Sequence, residues 1–230
     1  DGKPNAGTMY IIKNGLPKYM MPLAYFFAFS GVIAGLPAFQ ANQVVQLTND
    51  LYFPEIENFS YYAGAFLAVI TAAVVLGGLR RIANVSALLV PLMGGLYLVA
   101  VFIAVLLNYQ QFFPALALIV TEAFSVDSAV VGGLVGVILT GIKRGAFSNE
   151  AGIGTEALIH GAAKTSSPVK QGLIAMTGPI FDTLIMCTLT AVIILISGVY
   201  QVSDSQGVSL TSEAFLATLG PVGPIILFVC

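Results

Sequence analysis

Residues 143–154 read KRGAFSNEAGIG, and this stretch decides how the fold is interpreted. It lies inside a long apolar region, residues 128–165, and brings charges into the middle of that region. A helix over residues 128–143 would be only about 24 Å long, at about 1.5 Å per residue. A helix that crosses a membrane needs to span about 30 Å of hydrocarbon. If the same helix continued to residue 165 it would exceed about 50 Å, which is too long for one upright span.

Two interpretations of this stretch remain. In the first, the span ends at Lys143 and Arg144, and the rest is a cytoplasmic loop with an amphipathic helix. In the second, the span is a helix broken near residues 145–152. The composition favours the break, because three glycines surround its polar residues and glycine is unfavourable in a helix interior. Unwound backbone at membrane depth is stable only where it lines a cavity. There its free amides and carbonyls suit a zwitterionic ligand together with a cation.

The composition of the whole chain is that of a membrane protein. Hydrophobic residues make up 57% of the 230 residues, and charged residues only 9%. A soluble domain carries about 25% charged residues and could not cover its surface with so few. This excludes a soluble domain and a disordered chain, and the lack of a basic patch excludes nucleic-acid binding. Because the sequence begins at Asp1 and ends inside an apolar run, we expect residues 1–230 to be part of one transmembrane domain in a longer multi-pass protein.

Apolar runs of about 20 residues predict the membrane spans. Residues 112–124 are apolar but too short to cross, so we expect them at the interface or as a re-entrant piece. The predicted spans are residues 18–49, 60–79, 82–107, 128–165 with the break near 145–152, 171–197 and a truncated 211–230.

The basic residues alternate between loops in the way that the positive-inside rule describes. Seven of the nine lie before the first span, between the second and third, or between the fourth and fifth, and the intervening loops hold none. The pattern predicts that the first span runs from the cytoplasm outward and that the direction then reverses at each span. The seven residues are Lys3, Lys13, Lys18, Arg80, Arg81, Lys164 and Lys170.

Asp182 is an acidic residue inside the fifth predicted span. A carboxylate at that depth costs several kcal/mol unless it is paired or faces water, so a functional role is the default interpretation. The alternative is a structural pair, for example with Lys143, Arg144 or a helix end. Small residues follow it at helical spacing, in a stripe typical of helix packing: Thr183, Cys187 and Thr190.

The outer half of the first span is also more polar than a lipid-facing helix requires. Phe39, Gln43 and Gln46 share one helix face, at positions i, i+4 and i+7. This face either lines a solute path or makes hydrogen bonds between helices.

Several motifs together resemble one family, the alanine/glycine:cation symporters, also called sodium:alanine symporters. They are the stretch at 143–154, SPVKQGL at 167–173 and FDT at 181–183. AGTMYI at 6–11 resembles the family's segment before its third helix, and QAN at 40–42 also matches. The resemblance covers essentially the whole chain and maps it to the third helix through the start of the eighth.

The resemblance implies an all-α membrane protein of the leucine-transporter type, a bundle of two inverted repeats with broken first and sixth helices, of which this chain is a partial bundle. Residues 145–152 would then be the break of the sixth helix. Phe39 and Phe147 would bound a small side-chain pocket, whereas Glu150 and Asp182 would stabilise the broken helix or a gate. The substrate-binding positions implied by the resemblance are Phe39, Asn42, Gly145, Phe147, Ser148 and Asn149.

The function implied by the resemblance is sodium-coupled symport of alanine or glycine across the plasma membrane by alternating access, without enzymatic chemistry. Sodium would be the coupling ion, and its site in this fold involves the first and eighth helices, so no sodium ligand is named in this chain. The alternatives are a proton-coupled transporter, a transporter of another neutral amino acid, and a membrane protein that binds an amino acid without moving it.

Overall fold

The computed structural model describes residues 6–35, 38–123, 138–139, 141–142, 145, 148, 154–161 and 163–230. Helices dominate these ranges, and no strand occurs within them. A helix satisfies its backbone hydrogen bonds internally, which is what apolar sequence in a lipid environment requires. The helices are α1 (Thr8–Gly15), α2 (Met21–Ala34), α3 (Ala38–Tyr52), α4 (Phe59–Val75), α5 (Gly78–Leu107), α6 (Tyr109–Ala123), α7 (Glu156–His160), α8 (Pro168–Pro179), α9 (Thr188–Ser197), α10 (Val208–Leu219) and α11 (Val222–Val229).

Among the described residues, three helical segments are long and apolar enough to cross a membrane: Lys18–Tyr52, Arg80–Leu107 and Pro168–Ser197. Phe59–Val75 and Val208–Leu219 are shorter apolar helices. The chain is therefore an all-α membrane protein. The predicted break near 145–152 falls mostly outside the described residues.

The apolar surface of α5 shows what surrounds this protein. Val101 is 1% exposed, whereas the neighbouring Phe102 is 63% exposed. Leu106 on the same helix is also exposed. Large apolar side chains in such exposed positions need lipid rather than water as their solvent.

The chain divides into two compact units. The first comprises Asp1–Leu36 and Glu122–Thr188, and the second comprises Pro37–Thr121 and Leu189–Cys230. In the first unit α1 packs against α2, and α7 packs against α8.

The core of the second unit lies among α5, α9 and α10. The Phe215 ring lies 5.6 Å from the ring of Tyr97, whose hydroxyl contacts the hydroxyl of Thr190. Ala115 of α6 joins a buried cluster with Ile196. The largest fully buried side chains of the described residues all belong to this unit: Phe215, Ile193, Val101 and Val192.

Two contacts relate to the predicted sidedness of the loops. In the first unit, the Thr8 hydroxyl donates to the Gly154 carbonyl over 3.1 Å, which joins the predicted cytoplasmic segment before the first span to the part of the fourth predicted span that follows its break. In the second unit, the Ser209 hydroxyl donates to Asp50 Oδ2 over 2.7 Å, which joins two loops that are both predicted to lie outside.

Candidate functional site

Ser148 and Asp182 meet in the first unit, although 34 residues separate them. The Ser148 hydroxyl donates a hydrogen bond to Asp182 Oδ2. Thr183 Oγ1 is a second donor to the same oxygen, at 3.5 Å. The structure therefore brings together the polar stretch at 143–154 and the intramembrane acid, the two features that stood out in the sequence.

In the part of the chain that the structure describes, the Asp182 carboxylate accepts hydrogen bonds from the hydroxyls of Ser148 and Thr183 and forms no ion pair with Lys or Arg. Lys143 and Arg144, the cationic partners suggested by the sequence, lie outside the described residues. A hydrogen bond to a charged group is worth about 1.5–3 kcal/mol, so this contact fixes the Ser148 side chain firmly.

Asp182 lies in a π-helix, Ile180–Cys187, which directly follows Pro179. The apolar run at residues 171–197 predicts one regular helix, and the π-helix departs from that prediction. The only sequence signal for it is Pro179, because proline has no N–H to continue the α-helical ladder. π-helical turns are rare and occur frequently at functional sites, since they present side chains at angles that an α-helix does not allow.

The π-helix also divides the stripe of small residues that the sequence suggested. Cys187 Sγ lies 3.8 Å from Ser148 Oγ, and Thr183 contacts Asp182. Thr190, by contrast, contacts Tyr97 in the second unit. The described contacts of the stripe are therefore divided between the two units.

The helix does not continue unbroken through the end of the predicted fourth span. Gly145 and Ser148 are helical, and the other residues of the predicted break at 145–152 lie outside the described residues. Gly154, however, has φ +81°, a left-handed conformation that ends an α-helix and that glycine tolerates best. A new helix, α7, begins only at Glu156.

The remaining predicted site residues fall into three groups. Phe39 and Asn42 lie on α3 in the second unit, and both are exposed. Gly145 is half-buried in the first unit, and a Cβ there would meet no atom within 4 Å. Phe147, Asn149 and Glu150 lie outside the described residues, and their roles stay predictions.

The polar face of α3 makes hydrogen bonds between helices, one of the two interpretations that the sequence left open. Gln43 Oε1 accepts a hydrogen bond from the Val208 N–H over 3.1 Å. Gln46 Nε2 donates to Ser209 Oγ over 2.9 Å, and Ser209 in turn donates to Asp50. This face therefore binds the first turn of α10.

Gln43 acts as the cap of α10. The residue at the N-cap position is Gly207, which has no side chain to satisfy a free N–H. It has φ +63°, and a Cβ there would lie 3.0 Å from Gln43 Oε1. Because residue 207 is glycine, Gln43 of α3 has enough space to reach the first turn of α10.

Replacing Gln43 by Leu should destabilise the second unit by about 0.5–2 kcal/mol, the usual cost of a lost N-cap. The measurement is thermal melting of the purified protein in detergent. Gln40→Leu is the matched control, because Gln40 is an exposed glutamine on the same helix and its replacement should change stability by less than about 0.5 kcal/mol. Equal melting temperatures for the two variants would contradict the capping role.

Metal-binding residues do not cluster in the described part of the chain. No group of three or more His, Cys, Asp or Glu side chains there could hold a metal ion. The free cysteines are Cys187 and Cys230. The side chains described at the Ser148–Asp182 contact are two hydroxyls, a carboxylate and the Cys187 thiol.

An all-α chain with membrane-spanning helices and a hydrogen-bonded carboxylate inside one of them defines the class, an integral membrane protein with an intramembrane polar site. The sequence profile of the sodium:alanine symporter family matches residues 1–230. The chain belongs to the sodium:alanine symporter family. Because this is a family of symporters, the expectation that the chain is not an enzyme is confirmed.

Several curated proteins are similar to this chain. The sodium/alanine symporter AgcS of Methanococcus maripaludis is 37% identical over 99% of this chain and 51% of its own length. The amino-acid carrier protein AlsT of Bacillus subtilis is 40% identical over 71% of this chain and 35% of its own. The sodium/proton-dependent alanine carrier protein of Bacillus sp. strain PS3 is 32% identical over 82% and 41%, respectively. The chain spans about half the length of the first of these relatives.

Proposed function

We propose that the protein containing this chain is a sodium-coupled symporter of alanine or glycine in the plasma membrane. The hydrogen bond between Ser148 and Asp182 is the observation that carries this proposal. It joins the polar stretch at 143–154 to an acid within a membrane-spanning segment. Membership of the family supports the same conclusion.

The substrate site is proposed around Ser148. A small neutral amino acid is a zwitterion, so its site needs donors for the carboxylate and acceptors for the ammonium group. Carbonyl groups near Gly145 and the Ser148 hydroxyl would receive the ammonium group, and Asn149 would bind the substrate through its side-chain amide. Phe39 and Phe147 would limit the side-chain pocket, and Asn42 would add a polar contact.

Asp182 is proposed to position Ser148 rather than to touch the substrate. Its Oδ2 accepts a hydrogen bond from the Ser148 hydroxyl. The lone pairs of Ser148 Oγ are then free to accept hydrogen bonds from an ammonium group. Glu150 is proposed to act in the same supporting way, by stabilising the broken helix or a gate.

Transport would proceed by alternating access. The site opens to one side of the membrane at a time, and the sodium gradient supplies the work. The leucine-transporter type of inverted repeat is the proposed architecture, with this chain contributing the third helix through the start of the eighth. A half-helix end and unwound backbone bind substrate near the membrane midplane in such folds.

The test is uptake of labelled alanine by the full-length protein in liposomes under an inward sodium gradient. Accumulation that disappears when sodium is replaced by potassium or choline is the expected result. A protein that binds alanine but shows neither accumulation nor counterflow would instead be an amino-acid-binding membrane protein, and the proposal would be wrong.

Proton coupling is the second candidate, because one relative is named a sodium/proton-dependent alanine carrier. A different neutral amino acid is also a candidate, since another relative, from Bacillus subtilis, is named a probable sodium/glutamine symporter. Uptake driven by a pH gradient without sodium would favour proton coupling. Competition by glutamine at concentrations similar to those of alanine would favour the larger substrate.

Substitution of Asn149 by Ala should abolish alanine binding or weaken it severely while the protein stays folded in detergent. Ser148→Ala should weaken binding less, by about 0.5–1.5 kcal/mol, the net value of one hydrogen bond. Calorimetric titration with alanine measures both. Unchanged affinity in the Asn149 variant would remove this residue from the proposed site.

A further inference from the structure

The segment that precedes α2 approaches α7 very closely in the first unit. A Cβ on Gly161 would lie 2.7 Å from the Ala6 Cβ, and a Cβ on Gly7 would contact the Leu158 side chain. Gly7 also has φ +110°. Glycine at these two positions lets the two stretches of backbone meet at a distance that no side chain would permit.

A hydrogen bond fixes the same contact at the other end of α7. The Thr8 hydroxyl donates to the carbonyl of Gly154 over 3.1 Å. Gly154 is itself confined, because a Cβ there would lie 3.3 Å from the ring of Phe27 on α2. Residues 6–8 thus touch the chain at both ends of α7.

α7 is also tied to α8. Gln171 Nε2 lies 2.7 Å from His160 Nδ1, and His160 Nε2 lies 3.6 Å from Glu156 Oε1. The ring of His160 therefore sits between an acid of its own helix and an amide of the next helix.

The length of α7 makes its position dependent on these contacts. It has five residues, far fewer than the roughly 12–15 that an isolated helix needs for marginal stability. Gly154 and Gly161 flank it. Glycines at both ends are backbone positions that can absorb a large change in φ and ψ when a segment moves.

We propose that residues 6–8 form an inner latch, which holds α7 in place while the cytoplasmic side of the transport path is closed and which must release before alanine can leave into the cytoplasm. The inference rests on the proposed symport function and on the predicted positions of the two segments, residues 6–8 on the cytoplasmic side and α7 near the cytoplasmic end of the fourth span. The inner latch is a separate element from the Ser148–Asp182 contact.

The first experiment joins the inner latch to the residue after α7 by a disulfide between positions 6 and 161. The double variant Ala6→Cys/Gly161→Cys of the full-length protein is reconstituted, and its uptake is compared before oxidation, after oxidation and after reduction. The two side chains are close enough for a disulfide after a small shift. The single variants Ala6→Cys and Gly161→Cys, given the same treatment, control for the protein's own thiols.

The expected result is that oxidation stops sodium-dependent alanine uptake in the double variant alone and that reduction restores it. Undiminished uptake by protein whose cross-link is verified by mass spectrometry would overturn the latch. Lack of uptake by the unmodified wild-type protein would instead contradict the proposed function, so the two failures are distinguishable.

If cysteine at position 161 prevents folding, a second variant, Thr8→Val, tests the inner latch instead. Thr8→Val keeps the shape of the side chain but removes its hydrogen bond to Gly154. A weaker latch lowers the population that is open to the outside, so the KM for external alanine should rise by about two- to twelvefold, the fold-change that corresponds to one hydrogen bond.

Thr48→Val is the matched control, because the Thr48 hydroxyl bonds only within its own helix, to the Val44 carbonyl at 2.6 Å. It should leave the KM unchanged. Equal KM values for wild type, Thr8→Val and Thr48→Val would overturn the proposal.

Discussion

Replacing Asp182 by Ala is expected to raise the KM for alanine by about two- to twelvefold, the same range as for Ser148→Ala and the fold-change that corresponds to one hydrogen bond. The carboxylate accepts a hydrogen bond from the Ser148 hydroxyl and acts on the substrate only through it. Without the carboxylate, the Ser148 side chain loses its fixed direction. Sodium-dependent uptake over a range of alanine concentrations is the measurement.

Two further substitutions make this prediction specific. Asp182→Asn retains an oxygen that can accept the Ser148 hydroxyl, so it should recover much of the lost affinity if the role of Asp182 is positioning. Asp204→Ala removes an exposed acid from a predicted outer loop and should leave uptake unchanged. If Asp182→Asn is as defective as Asp182→Ala, the charge itself is required, and the positioning role is wrong.

Replacing Phe215 by Ala should cost about 3–5 kcal/mol of stability, the usual range for a buried aromatic residue. Phe215 is 0% exposed and packs at 5.6 Å from the Tyr97 ring in the core of the second unit. The cavity left behind removes packing contacts that lipid cannot replace. A marked fall in the melting temperature in detergent is the expected observation.

The control for this prediction is Phe102→Ala on α5. Phe102 is 63% exposed, so its ring is solvated by lipid or detergent in the folded protein and its removal should have little effect. Similar melting temperatures for Phe215→Ala and Phe102→Ala would contradict the assignment of Phe215 to the core of the second unit.

The membrane class could be predicted from the sequence because it depends on composition and run length alone. Apolar runs and the alternation of basic loops need no knowledge of tertiary contacts. The Ser209–Asp50 contact joins two loops that this alternation places on the same side. Family membership could be predicted as well, because the motif at 143–154 is specific.

The contacts of individual polar residues were harder to predict. Periodicity showed that Gln43 and Gln46 share a face, but not that the first turn of α10 lies opposite that face. Asp182 was identified as unusual by its depth, yet its hydroxyl partner Ser148 is 34 residues away. Such pairs depend on how helices pack, and single-sequence patterns contain little information about that.

Local backbone geometry was the least predictable. The glycines at 145, 152 and 154 all fit an interrupted helix, and sequence alone could not say which of them leaves the helical region. Gly145 is helical, whereas Gly154 has φ +81°. The π-helix after Pro179 was missed because a proline predicts a disturbed helix but not the form that the disturbance takes.

The wide turn at Ile180–Cys187 makes this part of the chain sensitive to length as well as to composition. Each residue advances a helix by about 100°. The hydrogen bonds of a π-helix join residues five apart and those of an α-helix join residues four apart, so deleting one residue between Asp182 and Cys187 would restore α-helical winding and still leave the acid and the thiol on one face. An inserted residue has no such compensation and would turn the acid and the thiol apart by about that angle.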